Sequence, residues 1–321
     1  MAQINMVQSL NSTIDKLMSA DERVIVLGED VGRDGGVFRV TENLLNKYGE
    51  ERVIDTPLSE LGIVGVATGM AMHGLKPLAE IQFQDFIYPA FDQIVNNLAK
   101  IRYRTGGRFS APVIIRAPYG GGVKGGLYHS QSGESYFVHT AGLTVVTPSN
   151  PYDARGLLVS AYKMNDPVMF LEPKRIYRSV KSEVPEDLFE IEIGKANVIK
   201  EGNSVTVITY GSSVQTVMDT VEKESVDAEV IDLRSLSPVD IDTILKSVKK
   251  TGRVVIVHEA PRTLGMGAEI SALIAERAID YLFAPILRVT GFDTPFPYVN
   301  EEYYLPNAAR IMAAIKKVLG Y

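Results

Sequence analysis

The chain has 321 residues, of which 45% are hydrophobic and 22% charged, and its formal net charge is −6. This length suits two domains of ordinary size, which can bury cores without covalent staples. The absence of cysteine excludes disulfides, thiolate metal ligands and cysteine nucleophiles, and the mixed, slightly acidic charge argues against broad nucleic-acid or membrane-surface binding.

The N-terminal segment, residues 1–24, follows an amphipathic helical pattern. It lacks the basic start and the continuous apolar run of a secretory signal. No apolar run in the chain reaches the roughly 18 residues that a membrane-crossing helix needs. We therefore expect a soluble, cytoplasmic protein.

Short apolar runs in the N-terminal half predict strands that are buried on both faces. They cover residues 24–27, 113–116, 143–146 and 168–171. Glycine-rich loops follow the first two runs, and Asn150 with Pro151 provides the start of a helix. The alternation predicts a doubly wound α/β domain with a parallel sheet.

An acidic, proline-containing stretch at about residues 179–193 separates this half from the next. It divides the chain into a domain at 1–180, a linker at 181–193 and a domain at 194–321. The second half has the same alternation, with strands expected at 205–210, 229–233, 254–258 and 286–290. One helix between them is expected to have Ser237 as its cap, Pro238 in its first turn, Asp240 near its positive end and Gly252 after its last residue.

Familiar ligand motifs are absent from the sequence. There is no GxxxxGK[ST] loop and no complete GxGxxG after a strand, and the partial match at Gly265 and Gly267 is better explained as a plain loop before a helix. The four histidines lack the spacing of a zinc site.

The segment from Ser59 to Gly69 is the most unusual part of the sequence. Ser59 can cap a helix on which Gly62, Gly65 and Gly69 share one side, and such glycines predict close packing by another helix. Glu60 would lie at the positive end of that helix. Two readings remain open for Glu60: a surface glutamate that complements the dipole, or a carboxylate held at a buried interface for proton chemistry.

Two further segments could carry chemistry. Residues 120–126 contain five glycines, which allow a loop to approach a ligand closely, and His129 follows this loop as a group able to exchange protons. A flexible surface loop with an incidental histidine is the alternative. Aromatic residues at 83, 86, 88 and 91 are expected to be mostly core, although one exposed ring could stack on a flat ligand.

These segments, in this order, resemble the β subunit of the thiamine-diphosphate-dependent decarboxylating component of 2-oxo acid dehydrogenase complexes. The resemblance covers nearly the whole chain, and the branched-chain enzymes look closest. It rests on GEDVG, RVIDTPLSELGIVG, LAEIQFQDFIYPAFDQIVNNLAK, YHSQSGE, DPVMFLEPKRIYR, VIDLRSLSPVDIDTI, HEAPRTLGMGAEI and GFDTPFP. It implies a transketolase-like architecture, with a pyrimidine-binding domain followed by a transketolase C-terminal-type domain.

The resemblance also implies roles for individual residues. Glu60 would be the carboxylate that hydrogen-bonds the aminopyrimidine ring nitrogen of thiamine diphosphate and so helps the thiazolium carbon to lose its proton. Phe86 stands where an aromatic residue, often tyrosine in the branched-chain enzymes, packs on the aminopyrimidine, and Leu58 would also contact the cofactor. His129 would face the substrate and assist transfer of the acyl group to a lipoyl group.

The same resemblance implies binding sites for two metal ions, K⁺ and Mg²⁺. Related β subunits hold a structural K⁺ through backbone carbonyls, and the matching positions here are Ala111, Val113, Ile114, Ala161, Met164 and Asp166. The diphosphate and its Mg²⁺ are bound in this class by a GDG…N motif, which this chain lacks. An α subunit is therefore expected to supply that half of the site, in a heterotetramer of two α and two β chains.

The expected function is oxidative decarboxylation of a branched-chain 2-oxo acid, with transfer of the acyl group to a lipoyl acyltransferase core that docks on the C-terminal domain. Pyruvate and acetoin dehydrogenases share much of the pattern and remain alternatives. A separate half of a transketolase or of a deoxyxylulose-phosphate synthase would need sugar-phosphate-binding residues that we do not identify. A non-enzymatic nucleotide-binding regulatory subunit is the remote alternative, because the sequence offers no phosphate loop for it.

Overall fold

The computed structural model describes residues 2–321 and divides them between two compact units. The first unit takes up the chain to Tyr119 together with Tyr136–Ile193, and the second consists of Gly120–Ser135 and Gly194–Tyr321. The glycine-rich loop and His129 thus belong with the C-terminal unit, although they lie inside the N-terminal half of the sequence.

Residues 2–193 form eight strands and six α-helices, besides several short 3-10 turns and one π-helical turn. The strands are β1 (Ala2–Asn5), β2 (Val24–Gly28), β3 (Val53–Asp55), β4 (Lys76–Glu80), β5 (Ile114–Tyr119), β6 (Thr144–Val146), β7 (Val168–Pro173) and β8 (Lys181–Val184). The helices are α1 (Met6–Ala20), α2 (Leu44–Tyr48), α3 (Glu60–Met72), α4 (Ile101–Arg104), α5 (Glu134–Val138) and α6 (Pro151–Lys163).

The sheet of the first unit is parallel and runs in the order β6-β7-β5-β4-β2-β3. Strands β2, β5 and β7 are buried along their whole length, which explains their continuous apolar sequences. Helix α1 confirms the amphipathic pattern: its buried side chains pack with α6, and Asn5 and Gln8 form a capping box at its start.

The second unit has a five-stranded sheet in the order β14-β13-β10-β11-β9, with β9 antiparallel at one edge and the other strands parallel. Its strands are β9 (Asn197–Lys200), β10 (Val205–Thr209), β11 (Ala228–Asp232), β12 (Ser235–Ser237), β13 (Val254–Pro261) and β14 (Leu287–Gly291). Its helices are α7 (Ser213–Lys223), α8 (Ile241–Thr251), α9 (Met266–Ala278), α10 (Glu301–Tyr304) and α11 (Ala308–Leu319). The two parallel-dominated α/β units confirm the predicted fold class.

The start of helix α8 corrects one prediction. Ser237 is the last residue of β12 and is joined to Pro238 by a cis peptide bond, so it does not cap the helix. The cap is Asp240, whose carboxylate accepts hydrogen bonds from the backbone N–H of Thr243 at 3.2 Å and from its hydroxyl at 2.8 Å. Gly252, in a left-handed conformation, ends the helix as expected.

The acidic stretch between the halves contains regular structure. Strand β8 lies within it and pairs antiparallel with β1, so that Gln3 faces Glu183. Among residues 2–321, no helix is both long enough and apolar enough to cross a membrane.

Candidate active site

Glu60 is the first residue of helix α3, and its surroundings are buried. Ser59 caps the helix by accepting a hydrogen bond from the backbone N–H of Gly62 at 3.3 Å, which confirms the predicted cap. The Glu60 side chain is only 8% exposed. A surface glutamate is therefore excluded as the explanation, and the residue is a buried carboxylate at the positive end of a helix dipole.

A second carboxylate, Glu29, lies close to Glu60 and to the backbone of Ser59. The sequence did not single it out. It follows the last residue of β2 and is also 8% exposed. Burial raises the pKa of Glu29, the nearby charge of Glu60 raises it further, and a hydrogen bond from the backbone of Ser59 opposes both. Its Oε1 atom is buried without a hydrogen-bond partner among the described residues. The GEDVG motif contained this signal, but it was interpreted only as a loop.

The aromatic segment after β4 positions Phe86 at the end of a row of rings. Phe86 lies in a short 3-10 turn, half-buried, and its ring meets that of Phe83 edge-on with centroids 5.3 Å apart. Phe83 contacts Phe38 in the same way at 5.4 Å, and Phe38 packs on Tyr177 at 5.1 Å. Such edge-on pairs are favourable ring geometries. Contrary to expectation, none of the rings at 83, 86, 88 and 91 is fully buried, so this segment is only partly core.

A buried ion network joins three neighbouring strands of the sheet, β4, β5 and β7. Arg116 of β5 donates to Glu80 of β4 at 2.6 Å and to both carboxylate oxygens of Glu172 of β7 at 2.7 and 2.8 Å. Tyr177 donates a further hydrogen bond to Glu172, which connects the network to the aromatic row. Burial raises the pKa of Glu80, although Arg116 lowers it in part.

The loop after β2 closes over this network because glycine permits it. Gly36 has a φ of +78°, and a Cβ at this position would lie 3.2 Å from Oε1 of Glu80. A larger residue would be strained in conformation and crowded against the carboxylate. The glycines of this loop therefore serve backbone packing within the unit.

The side of helix α3 that carries Gly65 and Gly69 is open in this chain, so the predicted close packing by another helix stays a prediction. A Cβ at Gly69 would meet nothing within 4 Å, and one at Gly65 would meet only the Gln93 side chain, at 3.7 Å. Leu61 and Val66 are 49% and 54% exposed on this helix. The face is thus apolar and uncovered, which is typical of a surface that binds another chain.

In the second unit, His129 follows the glycine-rich loop (residues 120–126). The histidine is half-buried, and a short 3-10 turn at Gly126–Tyr128 leads into it. Gly120, Gly122 and Gly126 have φ values of +83°, +89° and +66°, a region that glycine adopts without strain. The loop path therefore depends on glycine at these three positions.

The base of the loop is anchored by a buried tyrosine–glutamate pair. Glu134 is fully buried at the start of α5, and the Tyr210 hydroxyl donates to its Oε1 atom at 2.5 Å. Burial raises the pKa of Glu134, and the bond from Tyr210 lowers it in part. Tyr210 also stacks on His258, with ring centroids 5.8 Å apart.

The partial glycine motif at the start of α9, with Gly265 as the cap and Gly267 in the first turn, has a packing explanation. His258 is fully buried, and burial lowers its pKa to about 3. The backbone N–H of Gly267 donates to its Nε2 atom at 3.1 Å, and a Cβ at Gly265 would lie 2.7 Å from its Cε1 atom. The two glycines make room for this imidazole ring, in agreement with the plain-loop interpretation.

The carbonyls matched to a K⁺ site lie on two adjacent segments, one leading into the start of β5 and one running from the last turn of α6 towards β7. The Val113 carbonyl accepts from the backbone N–H of Val168 at 2.9 Å, which brings the segments side by side. The Met164 carbonyl accepts from the ammonium group of Lys76 at 3.1 Å. One of the matched carbonyls thus already contacts a cationic side chain, and the K⁺ site stays a prediction.

Comparison with known proteins gives matches over both units. Residues 2–180 match the family described as transketolase, pyrimidine binding domain, and residues 194–311 match transketolase, C-terminal domain. The 2-oxoisovalerate dehydrogenase subunit beta of Pseudomonas aeruginosa is 47% identical, covering 98% of this chain and 95% of the relative. The mitochondrial protein of the same name from Dictyostelium discoideum is 51% identical, with 99% and 87% covered.

Relatives that are named for pyruvate dehydrogenase match at similar identity. The pyruvate dehydrogenase E1 component subunit beta of Staphylococcus epidermidis is 49% identical, with the whole of both chains covered. Among solved structures, a chain described as "Split gene transketolase, inactive beta4 tetramer" has a TM-score of 0.81 at 23% identity, with 99% of both chains covered. At that identity the likeness concerns the fold alone.

Proposed function

The chain belongs to the family of β subunits of the 2-oxo acid dehydrogenase E1 component, and from this we propose that it supplies the aminopyrimidine half of a thiamine diphosphate site that an α subunit completes. The observation that carries the proposal is Glu60, a buried carboxylate at the head of helix α3. Full-length relatives at 47% and 49% identity carry the E1 β names.

The residues of the first unit fit the aminopyrimidine. Thiamine diphosphate, when bound, supplies a carbon nucleophile for the 2-oxo group and an electron sink as CO₂ leaves. Glu60 would hold a proton against the ring nitrogen of the pyrimidine, and Phe86 offers a half-exposed ring face for stacking. Leu58, which is 82% exposed, would add apolar contact. Glu29 leaves one buried oxygen available to a donor from the cofactor or from ordered water.

His129 is proposed to act on the substrate side. At the end of a glycine-rich loop it can orient the carboxylate or carbonyl of a 2-oxo acid and assist passage of the acyl group to a lipoyl group.

The α subunit is proposed to cover the open face of α3. This face combines glycines with exposed Leu61 and Val66, which lets a second helix approach closely. The same subunit would bind the diphosphate and Mg²⁺, in a heterotetramer of two α and two β chains. A lipoyl acyltransferase core would dock on the C-terminal domain.

We propose a branched-chain 2-oxo acid as the substrate, with pyruvate as the alternative. Relatives named for 2-oxoisovalerate and for pyruvate match at similar identity. The ratio of kcat/KM for 2-oxoisovalerate and for pyruvate, measured on the assembled enzyme, decides between them.

A K⁺ ion is proposed at the carbonyls of Ala111, Val113, Ile114, Ala161, Met164 and Asp166. The adjoining Lys76 is partly buried, and burial lowers its pKa. Thermal unfolding of the chain in K⁺, compared with Na⁺ at equal ionic strength, tests this ion independently of activity. Equal melting temperatures in the two salts would contradict it.

The first test of the function is a calorimetric titration of thiamine diphosphate with Mg²⁺ into this chain alone and into its complex with the α chain. Binding only to the complex, with decarboxylation of a 2-oxo acid, supports the shared site. Tight binding to the isolated chain would contradict the division of the site. No binding to an assembled complex would overturn the cofactor assignment.

A further inference from the structure

The glycine-rich loop that leads to His129 has little structure of its own. Five of its seven residues are glycines, which lose more conformational freedom on ordering than any other residue. The loop can therefore hold His129 in place only if neighbouring groups hold the loop.

One carboxylate holds the loop from the sheet. Glu259, in strand β13, is 7% exposed. Its Oε2 atom accepts a hydrogen bond from the backbone N–H of Gly121 at 3.1 Å, and its Oε1 atom accepts one from the Ser212 hydroxyl. A Cβ at Gly120 would lie 2.7 Å from the same Oε2 atom, so only glycine allows this approach.

A second carboxylate holds the loop from the other end. Glu301, the first residue of α10, accepts from the backbone N–H of Gly122 at 3.3 Å through one oxygen and from that of Lys124 at 3.2 Å through the other. Lys124 has a φ of +57°, which is unfavourable for a residue with a side chain. The bond from Glu301 helps to stabilise this conformation.

Aromatic rings from the segment before α10 fill the space that the glycines leave. A Cβ at Gly121 would lie 2.7 Å from the ring of Phe296, and one at Gly126 would lie 2.5 Å from the ring of Tyr298. The segment that carries Glu301 is thus packed along the loop, and the glycines and the rings fit one another.

We propose that Glu301 is a positioning residue for His129: its carboxylate fixes the backbone at Gly122 and Lys124 and so sets the path of the chain that carries the histidine. Glu259 provides the buried support for the same loop. The role assigned to His129 rests on the proposed function, whereas the restraint of the loop by Glu301 does not. Because Glu301 is only half-buried, its replacement leaves the core intact.

The test compares Glu301→Ala with Glu301→Gln and with a matched control, Glu302→Ala, in β chains assembled with the α subunit. Glu302 is the exposed neighbour and its removal changes the net charge equally. In hydrogen–deuterium exchange, the amides of Gly122 and Lys124 should exchange about 10-fold faster in Glu301→Ala than in the control, because their acceptor is gone. Glu301→Gln keeps one acceptor oxygen, so its exchange rates should lie between those of Glu301→Ala and those of the control.

The second readout is a double-mutant cycle with His129→Ala. Glu301→Ala should lower kcat/KM for the 2-oxo acid about 10-fold in the wild-type background and less than about 2-fold when His129 is already absent. An equal fold-change in both backgrounds would overturn positioning through His129, and exchange rates equal to those of Glu302→Ala would overturn the restraint itself. If no 2-oxo acid is decarboxylated by the wild-type complex, the proposed function fails while the exchange result still decides the restraint.

Discussion

The two units hold their candidate functional residues by different means. In the first unit, side-chain charges on adjacent parallel strands, Arg116, Glu80 and Glu172, form a buried network under the aromatic row that ends at Phe86. In the second unit, Glu259 and Glu301 bind backbone N–H groups of a loop with few side chains. The first arrangement is fixed with the sheet, because breaking it leaves buried charges unpaired. The second can be loosened by one substitution without disturbing a core.

The strongest way to break the first arrangement is Arg116→Ala. Removal of one member leaves two buried carboxylates without their cation, so we expect a loss of about 3–5 kcal/mol in the free energy of unfolding. Chemical denaturation measures it, with exposed Arg104→Ala as the control. Arg116→Met combined with Glu80→Gln and Glu172→Gln should recover much of the loss. Equal stability of Arg116→Ala and the control would refute the importance of the network.

Glu60→Gln tests the proposed catalytic role of a carboxylate in the first unit. We expect decarboxylation by the assembled enzyme to fall by roughly 100-fold or more, because an amide could not hold the proton that the carboxyl is proposed to share with the pyrimidine. The melting temperature and the assembly with the α subunit should stay close to those of exposed Glu51→Gln. Near-normal turnover in Glu60→Gln would remove Glu60 from the proposed role.

On the side of the second unit, Tyr210→Phe removes the hydroxyl that donates to Glu134. A buried carboxylate that loses a donor should cost about 1–3 kcal/mol of unfolding free energy. The pKa of Glu134, already raised by burial, should rise further. Exposed Tyr303→Phe is the matched control, and denaturation curves that coincide for the two variants would contradict the anchor.

Glu29→Gln should change the pH dependence of stability, which is the smallest of the expected effects. The direction of this change follows from the shifted pKa of Glu29. The folded state raises the pKa of Glu29 above its ordinary value of 4.5, so the folded chain keeps a proton that the unfolded chain loses. Stability should therefore decline as the pH rises from about 4 through the raised pKa, and Glu29→Gln should remove this decline. Melting temperatures of the isolated chain between pH 4 and pH 7 measure it, with exposed Glu22→Gln as the control. A steeper decline in Glu29→Gln would show that the sign is wrong.

Much of the fold could be predicted because buried parallel strands have continuous apolar sequences. The run at 205–210 is strand β10 to within one residue, and the run at 254–258 is the start of β13. The cap predicted for α8 was wrong because serine and aspartate are both good caps. Only the structure shows that Asp240, and not Ser237, reaches the backbone of Thr243. Partition of the loop at 120–135 into the second unit depends on long-range contacts that no local pattern reveals.

The candidate site was predicted less completely. Glu60 and His129 were identified through resemblance and local chemistry, whereas Glu29 and the network around Arg116 were not. A signal for the network was present, since Arg116 and Glu172 are each the one charge in a buried strand and Glu80 ends a strand whose last four residues are buried. Strand order is needed to bring the three together, and order cannot be read from a single run. Glu301 lacked a signal, because it acts on backbone groups far away in sequence.

The uncovered face of helix α3 has a consequence for the life of the chain in a cell. Copies made in excess of the α subunit would present Leu61 and Val66 to water, and such copies should self-associate or be recognised by chaperones and proteases. Assembly would hide the face, so only paired copies would persist. The face proposed to bind the α subunit would thereby also match the supply of one subunit to that of the other.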